Sequence, residues 1–275
     1  PVYLLNLSGK VSYDDLFYYS SWGDDRYRQT ELQVNSSHKF RAARWLSFSL
    51  AADFQWDYLG STQYDAARTT FVSAATAAFR TDRLSANLAI EYFGAFDRDG
   101  ESRNCFSPSA DIRVSLSGGL SLVALARRSY RVPTFNELYY VGFGNPLLKP
   151  EDAFLSDLGL EWKKNLPSGW TFSAKLDGFY QHLLDKIVSA PTEMDPNIWL
   201  PYNIGVVQMS GADARAELHY SKGTWKSSFS ARYSYQDAID KTPDSYSYGQ
   251  QIPYVSKHTV SLGAHASYKG WFASL

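Results

Sequence analysis

The chain has 275 residues, with 27 Lys and Arg against 28 Asp and Glu, so its net charge gives no indication of a nucleic-acid partner. Aromatic residues make up 16%, including 20 Tyr and 8 Trp, a high share that is typical of proteins with aromatic girdles at a membrane interface. The mean hydropathy is -0.34 and no run of about eighteen apolar residues occurs, which excludes a transmembrane helix.

The first half of the chain alternates apolar and polar residues from its beginning. Leu5, Leu7 and Val11 share one parity, whereas Ser8 and Lys10 take the other. A period of two predicts a β-strand with one apolar and one polar face. We predict seven such strands in this half, around residues 5–19, 31–40, 46–58, 68–79, 84–96, 110–116 and 120–130.

The second half continues the same pattern. Five more strands are predicted around residues 154–163, 170–181, 212–220, 225–236 and 260–268, and Trp271 begins a thirteenth. The connections are predicted to alternate strictly between short turns of about two to five residues and loops of about eight to twenty. The predicted long loops are residues 20–28, 60–67, 97–104, 131–151, 190–202 and 238–251.

Strand length and the positions of aromatic residues predict a transmembrane barrel. The predicted strands run about 10 to 16 residues, longer than the roughly 5 to 6 typical of soluble sandwiches and long enough to cross a bilayer at a tilt. Aromatic residues also bracket the short turns, as an interfacial girdle requires. These pairs are Phe40 and Trp45, Trp162 and Trp170, Tyr220 and Trp225, and Tyr268 and Trp271. We therefore favour a membrane barrel over a soluble sandwich or propeller.

The stretch from Arg131 to Glu151 is predicted to be a long, ordered and functional loop. It has no sustained period of two or 3.6, and it contains the breaker pairs Asn145-Pro146 and Lys149-Pro150. Four aromatic residues within it argue against disorder. Loops of this length are usually functional.

This loop also carries a resemblance to a known family. Arg131–Tyr139 reads RVPTFNELY and Gly144–Glu151 reads GNPLLKPE. These runs resemble a late extracellular-loop signature of TonB-dependent outer-membrane receptors, and residues 203–217 and 252–262 fit the same family in order and spacing. The resemblance implies an all-β, antiparallel, up-and-down transmembrane barrel of about 22 strands with a plugged lumen. Residues 1–275 are then expected to be part of that single barrel domain, without the N-terminal plug and the first and last strands.

The same resemblance implies a function and partners. Such receptors import a scarce solute, such as a ferric siderophore, cobalamin, haem or a glycan, across the bacterial outer membrane. TonB drives the import by acting on the plug, and membrane lipid surrounds the barrel. A diffusive porin, a glycan importer and a surface adhesin or enzyme barrel stay open as alternatives. No catalytic constellation stands out, so we expect neither an enzyme nor a cofactor.

Candidate ligand-binding residues lie on the long-loop side, where aromatic and polar side chains can stack on and hydrogen-bond to a bulky solute. They are Trp22, Tyr27, Arg131, Asn136, Glu137, Tyr139, Tyr140, Phe143, Trp199 and Tyr202. Each has a structural alternative: Arg131 and Glu137 can pair with neighbours, and the aromatic residues can pack the loop.

Several other groups are predicted to be structural. Asp24-Asp25 and Asp97–Glu101 lack the ligand spacing of a calcium loop and are interpreted as solvated loop charge. The five His residues form no metal-binding doublet, and Cys105 is expected to be an incidental free thiol. A mixed set of charges is expected on the inner wall, facing a polar plug, namely Lys175, Asp177, Asp213, Arg215, Glu217, Lys226 and Arg232.

Overall fold

The protein, described by a computed structural model for residues 2–20, 23–98, 100, 102–192, 195, 197–243, 245–253 and 255–275, is built almost entirely from β-strands. The strands are β1 (Val2–Ser20), β2 (Gly23–Arg41), β3 (Leu46–Ser61), β4 (Asp65–Arg80), β5 (Leu84–Asp97), β6 (Ser102–Ser115), β7 (Leu120–Arg131), β8 (Glu151–Asn165), β9 (Trp170–Pro191), β10 (Trp199–Lys222), β11 (Trp225–Asp240), β12 (His258–Tyr268) and β13 (Trp271–Ser274).

The strands form one 13-stranded sheet whose spatial order is the sequence order. Every neighbouring pair is antiparallel; the β9–β10 ladder, for example, runs from Trp199 opposite Pro191 to Tyr220 opposite Trp170. This up-and-down arrangement confirms the predicted fold class and the number of strands. No helix in the described part of the chain is long and apolar enough to cross a membrane.

The two faces of the sheet follow the predicted parity. In one row of paired residues, Trp162, Ala174, Ala216 and Ala231 lie side by side on β8 to β11. The adjacent row of opposite parity places charged residues next to one another: Glu161, Lys175, Arg215 and Arg232. Lys175 forms an ion pair with Asp177 at 2.8 Å, and Arg215 pairs with Glu217. One face is therefore apolar and the other is polar and charged.

The predicted strict alternation of short and long connections is wrong. β1 and β2 continue through most of the predicted loop 20–28, and only residues 62–64 and 98–101 connect the next two pairs on that side. The long connections are residues 132–150, 192–198 and 241–257. The reason is that water reaches both faces at the end of such a hairpin, so the alternation disappears while the hydrogen-bonded ladder continues.

The aromatic residues beside the short turns form contacts between neighbouring strands. The ring centroids of Trp170 and Tyr220 lie 4.7 Å apart, and those of Trp225 and Tyr268 lie 5.5 Å apart. Trp45 stacks on the ring of Phe79 at 6.1 Å. The rings thus occupy one end of the sheet, at the positions that the sequence predicts for an interfacial girdle.

The loop between β7 and β8 contains a short helix that sequence periodicity did not reveal. Helix α1 spans Phe135–Tyr139, and five residues are too few to show a period of 3.6. Thr134 caps its N-terminus by accepting a hydrogen bond from the Glu137 backbone N–H, while the Glu137 carboxylate accepts one from the Thr134 N–H at 2.7 Å. This reciprocal capping satisfies two backbone donors and fixes the start of the helix.

Fully buried apolar side chains are concentrated where the two longest loops fold onto the sheet. Leu138 and Leu148 of the β7–β8 loop pack with Ile187 of β9. Ile252 of the β11–β12 loop packs with Leu183, Val207 and Ala238 of the strands below it. Both loops are therefore ordered by small apolar cores of their own.

Candidate functional site

The β7–β8 loop is closed at its base by an ion-paired triad. Arg131, the last residue of β7, contacts Glu151, the first residue of β8, with Nε 2.8 Å from Oε2. Its guanidinium also lies 3.1 Å from Oε2 of Glu137 on α1. Glu151 accepts a further hydrogen bond from the backbone N–H of Ile187 at 2.8 Å. Arg131 and Glu137 are thus held by each other, and this geometry positions the loop.

A second charged cluster, formed by Arg68, Asp97 and Arg103, lies beneath the loop. The Asp97 side chain is only 2% exposed and accepts hydrogen bonds from Arg68 Nη2 at 3.0 Å and from Arg103 Nη1 at 2.8 Å. Interpreting Asp97 as solvated loop charge was therefore wrong, because the folded loop covers it. Asp99 and Glu101 of the same predicted group lie outside the described residues.

Arg68 connects this cluster directly to the loop. Its Nη1 donates a hydrogen bond to the carbonyl of Pro133 at 2.9 Å, and its guanidinium carbon lies 4.9 Å from the centre of the Phe135 ring. A cation over an aromatic face is attractive, and more so where water is excluded. Arg68 therefore holds the start of α1 against the sheet.

Two Asn side chains fix the far side of the loop to β10. Asn145 donates to the carbonyl of Pro201 at 3.1 Å. Asn203 accepts from the backbone N–H of Lys149 at 2.9 Å and donates to the carbonyl of the same residue at 3.0 Å. This two-way contact mimics strand pairing, so the segment before β8 is bound as firmly as a ladder residue.

On the opposite side the loop reaches the β1–β2 and β3–β4 hairpins. Tyr140 donates its hydroxyl to Oδ2 of Asp25 at 3.1 Å. Thr62 and Gln63 both donate to Oδ1 of the same carboxylate at 2.7 Å. Asp25 was predicted to be solvated loop charge, and this too is corrected, since three side chains satisfy it. Tyr64 donates its hydroxyl to the Asn136 side chain.

A cavity of about 440 Å³ opens between this loop and the β3–β4 and β5–β6 turns. Tyr64, Tyr139 and Tyr140 line it, together with Asp65 and Arg98 at its charged edge. The rings of Tyr64 and Tyr139 lie 6.1 Å apart and are tilted by 50°. The volume is within the range of roughly 300–1,000 Å³ of small-molecule sites, and aromatic walls with a few polar groups are typical of them.

The environment of Tyr64 is partly dehydrated. Burial raises its pKa to about 12, and the nearby Tyr140 adds to this shift. The phenol therefore stays protonated and keeps donating to Asn136 at neutral pH. Among the described residues, no three His, Cys, Asp or Glu side chains converge in an arrangement that could hold a metal ion.

The structure brings together only part of the predicted site. Asn136, Tyr139 and Tyr140 lie at or beside the cavity, whereas Trp199 and Tyr202 lie on β10 and contribute nothing to its lining. Phe143 is half-buried within the loop, Tyr27 lies beside Tyr140, and Trp22 is outside the described residues. Sequence reasoning missed Tyr64 and Arg98. Tyr64 was detectable, since it is an aromatic residue in a connection on the same side.

The chain is similar to known proteins over almost its whole length. The sequence profile described as TonB dependent receptor-like, β-barrel matches residues 3–275. The vitamin B12 transporter BtuB of Vibrio vulnificus is 26% identical over 204 residues, which cover 73% of this chain and 32% of that protein. BtuB of Photobacterium profundum is 28% identical over 133 residues, covering 47% and 20%. The chain therefore matches about a third or less of the length of these curated relatives.

A solved structure agrees in fold. A double mutant of the Serratia marcescens hemophore receptor HasR, in complex with its hemophore HasA and heme, superposes with a TM-score of 0.70 at 14% sequence identity. The match covers 98% of this chain and 54% of that one. At this identity the likeness concerns the arrangement of strands alone.

Proposed function

The chain belongs to the TonB dependent receptor-like β-barrel family, and from this premise we propose that it forms part of an outer-membrane receptor for energised import of a scarce solute. A ferric siderophore or cobalamin is the proposed class of solute. TonB is the proposed energy-coupling partner, acting on a plug domain of the complete receptor. We propose residues 1–275 as part of one β-barrel domain, with the apolar face towards lipid and the polar face towards the lumen.

The observation that carries the proposal is the anchored β7–β8 loop with its tyrosine-lined cavity. Arg131 and Arg68 hold one side of the loop, and Asn145 and Asn203 hold the other. A preorganised site loses less ordering entropy on binding than a mobile loop does, which favours capture of a dilute solute. A passive pore has no need for such a site.

Within the cavity, Tyr64, Tyr139 and Tyr140 are proposed to contact the solute. Their rings offer stacking area, and Arg98 at the edge adds positive charge for an anionic group. Arg131 and Glu137 are proposed to act by positioning α1. Trp199 and Tyr202 stay predicted contacts, for a solute large enough to extend from the cavity to β10.

Cobalamin is the first solute to test, because the two curated relatives described above are vitamin B12 transporters. The experiment measures uptake of labelled cobalamin and of several ferric siderophores in cells that express the complete receptor, with and without a protonophore. Saturable uptake that stops when the proton gradient collapses supports the proposal. Uptake that is linear in concentration and indifferent to the protonophore overturns it in favour of a porin.

A matched pair of variants locates the site. Tyr139→Ala should raise the concentration for half-maximal uptake about fivefold or more, since truncating an aromatic anchor costs over about 1 kcal/mol. Tyr248→Ala serves as the control, because Tyr248 is an exposed tyrosine on the β11–β12 loop and does not line the cavity. Equal effects of the two substitutions would exclude the cavity as the binding site.

A further inference from the structure

The end of the sheet with the short turns is strongly basic. The segments 39–46, 79–84, 115–120, 162–171, 220–227 and 267–272, here called the short-turn end, contain ten Lys and Arg but only one acidic residue, Asp82. All ten cations are exposed, and none forms an ion pair with a described residue. The chain as a whole is nearly neutral, so this is a local excess of positive charge that no ion pair among the described residues compensates.

The ten cations divide into two sets by position. The outer set lies in the turns or on the parity of the apolar face, and consists of Arg44, Arg83, Lys164, Lys222 and Lys269. The inner set lies at strand ends on the parity of the polar face, and consists of Lys39, Arg41, Arg80, Lys163 and Lys226. Five of the six short turns thus have an outer cation, and the exception is the turn around Gly118.

The aromatic rings next to the outer set indicate the depth of these cations relative to a bilayer. Lys222 pairs across its turn with Trp225, whose ring contacts Tyr268, and the Lys269 ammonium lies 5.2 Å from the centre of the Tyr268 ring. Arg44 directly precedes Trp45, which stacks on Phe79. Trp and Tyr rings beside an apolar surface settle at the headgroup level of a bilayer. Cations one or two residues farther out therefore lie at the depth of lipid phosphates, and their long side chains extend to reach them.

We propose that the outer set binds the headgroups of anionic glycerophospholipids in the leaflet at the short-turn end. Neighbouring short turns are two strands apart, roughly 10 Å, so cations of adjacent turns can flank one headgroup. The even spread around the perimeter fits a ring of lipids better than a single acidic protein segment, which would require one contiguous patch. The inference rests on the proposed placement of the apolar face in a membrane.

The test compares lipid retention by two charge-matched variants of the complete receptor. In one variant the five outer cations become Gln (R44Q, R83Q, K164Q, K222Q, K269Q). In the other the five inner cations become Gln (K39Q, R41Q, R80Q, K163Q, K226Q). Each protein is reconstituted into bilayers of phosphatidylcholine and phosphatidylglycerol and then extracted in a neutral detergent. Native mass spectrometry counts the phosphatidylglycerol that stays bound.

The outer variant should retain at least about tenfold less phosphatidylglycerol than the wild type, since each cation at an anionic surface contributes about fivefold in affinity. The inner variant should stay within about twofold of the wild type. High salt during extraction should reduce retention by the wild type and leave the outer variant unchanged. Retention of phosphatidylcholine should be the same in all three proteins.

Equal loss in both variants, or loss in the inner variant alone, overturns the proposal and points to a partner reached from the polar face. Unchanged retention in the outer variant overturns it as well. If the variant with all five substitutions fails to fold, the pair Lys222→Gln and Lys269→Gln is compared with Lys163→Gln and Lys226→Gln. Lipid retention is measured without any transported solute. A failed uptake experiment therefore leaves this result interpretable, whereas failure to enter bilayers contradicts the proposed membrane placement itself.

Discussion

Replacing Asp97 by Asn removes the carboxylate that forms ion pairs with both guanidiniums beneath the β7–β8 loop. The side chains of Arg68 and Arg103 are each only 10% exposed, so neither can be rehydrated without movement. Asn preserves the shape of the side chain and removes its charge. The substitution therefore leaves two buried positive charges next to each other without the carboxylate that pairs with both of them.

The size of the effect follows from the burial of this cluster. Removing one partner of a buried ion pair destabilises a protein by about 3–5 kcal/mol. The protein can relieve this cost locally, because releasing the loop breaks the contacts of Arg68 with Pro133 and Phe135 and exposes Arg68 to water. The other contacts that opening breaks are the same in the wild type and the variant. The free energy of loop opening should fall by a similar amount. Since each 1.4 kcal/mol is a factor of ten, the loop should open about 10²–10³ times more often.

Hydrogen–deuterium exchange of the complete receptor measures this opening. Backbone amides of residues 134–148 should exchange about 10²–10³-fold faster in Asp97→Asn than in the wild type. Asp111→Asn is the matched control: this carboxylate accepts a hydrogen bond from Asn87 at 2.8 Å on an exposed part of the sheet. In Asp111→Asn, the exchange rates of the same loop amides should stay within about threefold of the wild-type rates. Equal exchange in Asp97→Asn and the wild type would refute an electrostatic anchor. Adding Arg103→Gln to Asp97→Asn should restore part of the protection against exchange, because one of the two positive charges that lost Asp97 is then removed.

Three further predictions concern the same loop. Gly144→Ala should lower the free energy of loop opening, measured by proteolysis, by about 1–3 kcal/mol, because the new Cβ would lie 2.7 Å from two backbone nitrogens. Gly178→Ala is the control and should change little, since its Cβ would have no neighbour nearer than 3.9 Å. Asn203→Ala should cost about 1–3 kcal/mol and speed exchange of the Lys149 amide. Asn203→Asp should cost at least as much, because it keeps the acceptor but places a carboxylate oxygen against the carbonyls of Lys149 and Asp185. The raised pKa of Tyr64, about 12, means that its contribution to the free energy of unfolding is complete below about pH 10 and is lost as pH rises towards 12. The difference in urea stability between the wild type and Tyr64→Phe should therefore narrow between about pH 10 and pH 12, and a constant difference would contradict this assignment.

The sequence predicted the sheet well because parity is a local property. Leu5 and Leu7 on one face, and Lys175 and Arg215 on the other, reveal their facing through a period of two that persists over many residues. Strand ends were predicted less well. Residues 23–28 are polar on both parities, and only the ladder with β1, from Ser20 opposite Gly23, shows that they continue the strand.

The site was predictable only in part, for a different reason. Tyr139 and Tyr140 belong to a stretch whose composition marks it as a functional loop. Arg68 and Asp97, in contrast, are separated in sequence from each other and from Pro133, and nothing local distinguishes them from other strand-end charges. Their meeting depends on the register of β4 against β5, which pairs them directly. Contacts of this kind follow from tertiary structure and leave no pattern in the local sequence.

The two small apolar clusters at the ends of the strands have a consequence for how such proteins diversify. Leu138 and Leu148 of the β7–β8 loop pack on Ile187 of β9, and Ile252 of the β11–β12 loop packs on the strand ends directly below it. The wall between them is held by the backbone ladder. A change of ligand preference during evolution therefore needs to preserve only a few buried contacts. Residues 131–151 transplanted into a related receptor should therefore fold correctly when five supporting residues are transplanted with them, namely Arg68, Asp97, Arg103, Ile187 and Asn203.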